Sequence, residues 1–244
     1  MPVLETHDIA VRFGGHLALN AVDLDIEAGT LTGLIGPNGA GKTTTFNVIT
    51  GLLRATRGRV VLDGLDITAM APHRRARLGL ARTFQRLELF GSLTVRDNVQ
   101  VAVEASDAPR RGTRAAADDL LELVGLSEWA DLRADALSTG NARLLELARG
   151  LATRPRVLLL DEPASGLDED ESERMAATLA SLTGDGLAIL LVEHDVPLVM
   201  RLCDVVTVLN YGEVLATGTP NEIQADEAVI AAYPGHTPET GAPA

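Results

Sequence analysis

Residues 36–43, Gly36-Pro37-Asn38-Gly39-Ala40-Gly41-Lys42-Thr43, constrain this chain more than any other stretch: a glycine, four residues, a glycine, a lysine and a hydroxyl residue at fixed spacing. Such a pattern carries meaning only between a strand and a helix, and both flanks comply. Leu31-Thr32-Gly33-Leu34-Ile35 is a short apolar run suited to a buried strand, and Thr44 to Thr50 continues as a helix. Glycines let successive backbone N–H groups turn inward toward an anion, and the helix that follows adds the positive end of its dipole. The prediction is a phosphate loop. The backbone at Gly36, Asn38, Gly39, Ala40, Gly41 and Thr44 cradles the phosphates, Lys42 reaches the β- and γ-phosphates, and the Thr43 hydroxyl ligates Mg²⁺.

Composition sharpens that prediction. Of the 21 basic residues, 20 are arginine and one is lysine, and the lysine is Lys42. A compact ammonium has been kept at the one place where a planar guanidinium would fit badly between phosphates. The 34 acidic residues bring the net charge to −13, which disfavours non-specific binding to nucleic acid or anionic lipid, so any membrane association is expected to run through a protein partner.

At 244 residues the chain is long enough to bury a full core. Its longest apolar runs, such as Leu187 to Val192, fall far short of the ~20 residues of a membrane span. No basic stretch followed by an apolar core opens the chain, and the single cysteine, Cys203, forbids an intramolecular disulfide. A soluble protein of a reducing, cytoplasmic compartment is expected.

Strand patterns cover Val3 to Phe13, Ala18 to Ile26, Leu31 to Ile35 and Gly58 to Asp63. Arg74, Arg75 and Arg77 fall in a short helix after Pro72 and are expected to form a solvated face, and Leu78 to Phe84 is expected as a buried strand. Helical patterns then take over: Val95 to Val103, Ala115 to Val124, and Asn141 to Ala152 with Leu144, Leu147, Ala148 and Leu151 on one face. Ser106 to Thr113 is expected as an exposed loop. Strand and helix alternate afterwards (Arg156 to Leu160, Glu169 to Leu182, Leu187 to Val192, Val196 to Leu202, Val205 to Leu209), which argues a parallel sheet covered by helices. Glu213 to Ala216 closes a hairpin, and the acidic run Asp168 to Glu173 suits a helix start. The expected fold class is therefore α/β: a nucleotide-binding core from residues 1–90 and 150–233, an inserted helical lobe at about 91–149, and a flexible tail at 234–244.

A second chemical group sits at the end of a strand, where Val157-Leu158-Leu159-Leu160 runs into Asp161-Glu162. At the carboxyl edge of a parallel sheet, Asp161 can hold Mg²⁺ through water and Glu162 can orient or deprotonate an attacking water. An Asp-Glu pair alone is weak; behind a phosphate loop in the same sheet it becomes specific.

With these motifs in place the sequence resembles the ATP-binding subunits of ABC transporters over nearly its whole length. Leu137-Ser138-Thr139-Gly140-Asn141 stands where that family carries Leu-Ser-Gly-Gly-Gln, with Thr139 and Asn141 as departures. The resemblance implies a P-loop core with an N-terminal antiparallel β subdomain, with ATP and Mg²⁺ as cofactors. It also implies a dimer in which Ser138 and Gly140 of one chain close over the γ-phosphate held by the other. It places Phe13 on the adenine, makes Gln85 the sensor of Mg²⁺ and water, Glu162 the base and His194 the γ-phosphate contact, and assigns Ser165-Gly166-Leu167-Asp168 to communication across the dimer.

Within the family, Ala81 to Gln85, Leu93 to Val99, Gly218-Thr219-Pro220 and Ala231 to Gly235 look like the ATPases of branched-chain amino acid importers. Urea or short-amide importers, lipopolysaccharide export and a soluble ATPase of iron–sulfur cluster assembly stay open as alternatives. The implied partners are a second ATP-binding subunit, permease subunits contacted near Arg86 to Asn98, and indirectly an external solute-binding protein, with no nucleic acid. The implied location is the cytoplasmic face of the cell membrane.

Overall fold

The computed structural model describes residues 2–106 and 112–232. Most of the loop expected between the first two helices and all of the expected tail lie outside the described residues.

In chain order the elements are β1 (Leu4–Phe13), β2 (His16–Ile26), β3 (Leu31–Ile35), α1 (Lys42–Thr50), β4 (Arg57–Leu62), β5 (Leu65–Asp66), α2 (Pro72–Arg77) and β6 (Leu80–Arg82). The helices α3 (Val95–Ala105), α4 (Thr113–Leu123) and α5 (Thr139–Leu151) follow. Then come β7 (Val157–Asp161), α6 (Glu169–Gly184), β8 (Ala188–Val192), α7 (Val196–Leu202), β9 (Val205–Asn210), β10 (Glu213–Gly218), α8 (Pro220–Ala225) and α9 (Glu227–Ala232).

Two sheets result. β2-β1-β4-β5 is antiparallel, whereas β10-β9-β3-β8-β7-β6 is parallel except for the β9–β10 hairpin at its edge. The α/β class and the mostly parallel core with an antiparallel N-terminal sheet are thus as expected from the sequence.

Both faces of the larger sheet are covered, so the period-2 alternation along each strand sorts apolar residues into two cores rather than into core and solvent. Leu158, Leu160, Ile189 and Leu191 join the cluster built with α3, α4, α5 and α6, while Val157, Leu159, Leu190 and Val192 join the one built with α1 and the antiparallel sheet. This explains why β7 and β8 read as continuous apolar runs.

Three expectations are corrected. Arg75 is buried at 2% exposure rather than solvated: its guanidinium donates to the carbonyls of Val48, Ile49, Thr68 and Met70. Val48 and Ile49 lie in the last turn of α1, whose carbonyls carry the negative end of the helix dipole, so a cation there completes the helix. The strand expected over Leu78 to Phe84 is only Leu80–Arg82, with Leu78 and Phe84 exposed at its ends. The helix α5 is buried on nearly all sides from Gly140 to Ala148, not on one face, because α3, α4, α6 and β6 enclose it.

Replacing Arg75 by Ala removes a donor from four carbonyls, of which Val48 O keeps the Gly51 N–H, and a buried acceptor left unsatisfied costs roughly 1–3 kcal/mol. The Arg75→Ala protein should lose about 3 kcal/mol in denaturant unfolding without nucleotide; a loss below about 0.5 kcal/mol would show that water replaces the guanidinium.

Candidate nucleotide site

Register across the parallel sheet builds the site. Asp161 on β7 pairs with Val192 on β8, and Val192 pairs in turn with Leu34 on β3, so three strands end in one row. The segments that leave this edge are Gly36 to Gly41, Glu162 and His194, which brings together groups far apart in the chain. Ligands bind where strand order reverses at such an edge.

The loop geometry requires its glycines. A Cβ on Gly36 would sit 2.3 Å from the Leu209 carbonyl oxygen, and one on Gly41, at φ +109°, 2.5 Å from Leu19 Cδ2. The chain can therefore pass between β9, β2 and the start of α1 only without side chains at these positions. Lys42 is buried, and its ammonium donates to the carbonyls of Gly36 (2.6 Å) and Pro37 (3.2 Å), curled back on its own loop. Burial pulls its pKa down, against the opposing pull of Glu162 and Asp161.

A cavity of about 450 Å³ opens here. It is lined by Phe13 from the end of β1, by Asn38, Gly39, Ala40, Gly41, Lys42, Thr43 and Thr44, and by Gln85, Glu162 and His194. Phe13 is half exposed at the rim, placed as a flat apolar surface, and the Thr43 side chain is exposed toward the opening. Gly36 and Asp161, and Ser138 and Gly140 at the tip of α5, are not among the residues that line the cavity.

Glu162 is the centre of the polar geometry. It is buried, and its backbone is held at φ +52°, a region that costs a non-glycine residue about 1–3 kcal/mol and persists only where the surroundings impose it. Its N–H donates to the Val192 carbonyl at 2.8 Å, which ties the turn to β8. One carboxylate oxygen accepts from Gln85 Nε2 at 2.7 Å, and the other lies 2.6 Å from His194 Nε2. Gln85, Glu162 and His194 thus form one chain of contacts facing the phosphate loop.

Several residues of this constellation were not singled out by sequence reasoning. Asp161 Oδ2 accepts from Arg82 Nη2 at 2.8 Å, and Arg82 Nη1 donates to Asn47 Oδ1 at 2.7 Å. Both partners of the ion pair are buried, and the guanidinium stacks between Phe46 and Phe84 with ring centroids 5.4 and 5.1 Å away. A signal existed: an arginine inside a short apolar strand requires a buried partner, and the carboxylate ending the next strand is the one available. Glu193, whose carboxyl is pushed up by burial, accepts from the N–H groups of Ala164 (2.7 Å) and His194 (3.2 Å) and so steadies the turns after β7 and β8. From α5, Arg143 donates to the carbonyl of Gln85 at 2.7 Å, which links the helix beginning at Ser138 to the loop carrying Gln85. No local pattern announces that contact.

The donor set suits Mg²⁺. The Thr43 hydroxyl, the Asp161 oxygen left over by Arg82 and the Gln85 amide oxygen are hard oxygen ligands, and Mg²⁺ takes few protein ligands alongside substrate phosphates and water. Among the described residues, no group of three or more His, Cys, Asp and Glu side chains is placed so that it could hold a metal ion by itself.

Comparison with known proteins agrees with the geometry. Residues 19–165 match the family described as ABC transporter, and residues 213–233 match that described as branched-chain amino acid ATP-binding cassette transporter. The high-affinity branched-chain amino acid transport ATP-binding protein BraF of Pseudomonas aeruginosa is 42% identical, over 96% of this chain and 98% of its own length. The lipopolysaccharide export system ATP-binding protein LptB of Haemophilus influenzae is 35% identical over the same shares. An ATP-binding cassette of an ABC transporter solved in its ADP conformation superposes with a TM-score of 0.88 at 30% identity, over 97% of this chain and all of that one. The chain belongs to the ABC transporter family, as one of its ATP-binding subunits.

Proposed function

We propose that this chain binds and hydrolyses Mg·ATP to drive an importer of branched-chain amino acids. One observation carries the reading: the phosphate loop, Gln85, Glu162 and His194 converge on one cavity, and Asp161 immediately precedes Glu162 at the end of β7. The adenine stacks on Phe13, the triphosphate lies along the amides of Gly36 to Thr44, and Lys42 leaves its loop carbonyls for the β- and γ-phosphates. Thr43, Gln85 and Asp161 would hold Mg²⁺, which would supply positive charge against the phosphates. Glu162 takes the proton of the attacking water, its carboxylate aimed by Gln85 and His194. Ser138 and Gly140 act in trans, closing over the nucleotide of a second ATP-binding subunit.

Two features support a membrane partner. No helix among the described residues is long and apolar enough to cross a membrane, so a transport role needs other chains. A second groove, of about 430 Å³, runs between α2, β6 and α5 and exposes Phe84 beside Leu52, Ala76 and Ala102. Its floor includes Arg82 and Glu146, so a permease segment seated there touches the ion pair that holds Asp161. In this reading residues 91–149 form a lobe that moves with the permease, and the protein works at the cytoplasmic membrane face. The match at residues 213–233 favours branched-chain amino acids over the cargo of the export relative.

The Glu162→Gln protein should bind Mg·ATP, lose at least ~10²-fold in turnover and accumulate as an ATP-bound dimer; wild-type hydrolysis would refute the role of Glu162. Arg82→Ala strands a buried carboxylate, so denaturant unfolding should register a loss of about 3–5 kcal/mol, and a neutral result would mean that Asp161 is hydrated in its absence. Affinity capture of the tagged chain from a detergent extract should recover a multi-span membrane protein; recovery of water-soluble partners alone would reject the importer.

A further inference from the structure

The tip of α5 already carries an anion from its own chain. Ser138 and Thr139 are exposed there, yet Gly140 just behind them is buried, and what covers it is the carboxylate of Glu171 from the first turn of α6. A Cβ at position 140 would stand 2.2 Å from Glu171 Cδ and 2.5 Å from Oε1. Oε1 accepts the hydroxyl proton of Ser138 at 2.9 Å, and Oε2 accepts the Asp168 N–H at 3.4 Å. The Glu171 N–H in turn donates to Asp168 Oδ1 at 2.8 Å, while Ser138 Oγ accepts the Asn141 N–H at 3.2 Å.

A serine hydroxyl has one proton, and here it is committed. A γ-phosphate arriving from a second copy would need that same proton and the same positive helix end. It would also meet a carboxylate at the distance of a hydrogen bond, and like charges so placed repel. We propose that Glu171 is a built-in competitor of the γ-phosphate: it sits in cis on the groups that a triphosphate must engage in trans, and closure requires it to leave Ser138. The inference rests on the reading of Ser138 and Gly140 given above.

The release has a place to go. The Glu171 N–H keeps its bond to Asp168 Oδ1, so α6 stays capped while the carboxylate swings off Ser138. Asp168 ends the Ser165 to Asp168 segment, so displacement is felt in the loop that leads back to Glu162. Glu171 therefore sets a threshold that a triphosphate passes and a diphosphate, lacking the third phosphate, does not. After hydrolysis it reclaims Ser138 and favours reopening.

Sedimentation velocity tests this on the Glu162→Gln chain, in which the closed dimer persists, titrated with Mg·ATP with and without Glu171→Gln. Glutamine keeps the size, the acceptor for Ser138 and the contact with Asp168, but removes the charge. The double variant should reach half-maximal dimer at an ATP concentration at least about fivefold lower, with Mg·ADP producing no dimer in either protein. An unchanged or higher midpoint would overturn the inference alone, since Glu171 would then merely hold Ser138 in place. Absence of any ATP-dependent dimer in Glu162→Gln itself would overturn the reading of the site and this inference with it. Should the glutamine variant fail to fold, Glu171→Ser, which shortens the group but retains a helix-capping hydroxyl, carries the same expectation.

Discussion

The pairing of Asp161 with Val192, and of Val192 with Leu34, is the constraint on which the rest of the molecule depends. Parallel strands in a fixed register deliver their C-terminal ends to one line, and whatever follows each strand must then share a small volume. A one-residue slip of β7 would turn Asp161 to the other face of the sheet and move Glu162 out of reach of Gln85 and His194. The register is defended by burial on both faces, since Val157 and Leu159 fill one core and Leu158 and Leu160 the other.

On that line the chemistry is arranged as matched charge. Lys42 is desolvated yet faces Asp161 and Glu162, while Asp161 is shared with Arg82. Each polar group here has a partner within the chain: Lys42 the carbonyls of Gly36 and Pro37, Asp161 Arg82, Glu162 Gln85 and His194, Ser138 Glu171. Groups parked in this way avoid the cost of unpaired burial, and binding becomes an exchange of partners rather than a creation of new ones. The partners come from different elements. Arg82 belongs to the strand bordering the groove, Glu171 to the helix after Asp168, and Arg143 on α5 holds the backbone of Gln85.

Much of this was legible beforehand. Gly36 to Thr43 specify their own backbone path because only glycine fits beneath Leu209 and beside Leu19, and a motif that dictates conformation can be read without knowing what surrounds it. Asp161-Glu162 were legible because they end a continuous apolar run, the mark of a strand buried on both faces, whereas His194 was singled out by family resemblance. Arg75 and α5 were misjudged for the opposite reason. Their environments are made by segments far away in the chain, the last turn of α1 in one case and the packing of α6 and β6 in the other.

By itself, then, the sequence determined the class of fold, the glycine loop between β3 and α1, and the carboxylate pair that ends β7, since local conformational preference and strand burial are written in neighbouring residues. Only the tertiary structure decided who holds whom: that Asp161 shares its charge with Arg82, that Arg75 closes a helix, and that Glu171 rests on Ser138. Such pairings depend on distances of a few ångströms between residues 33 to 79 positions apart, as with Ser138–Glu171 and Arg82–Asp161, and no pattern of adjacent residues encodes them.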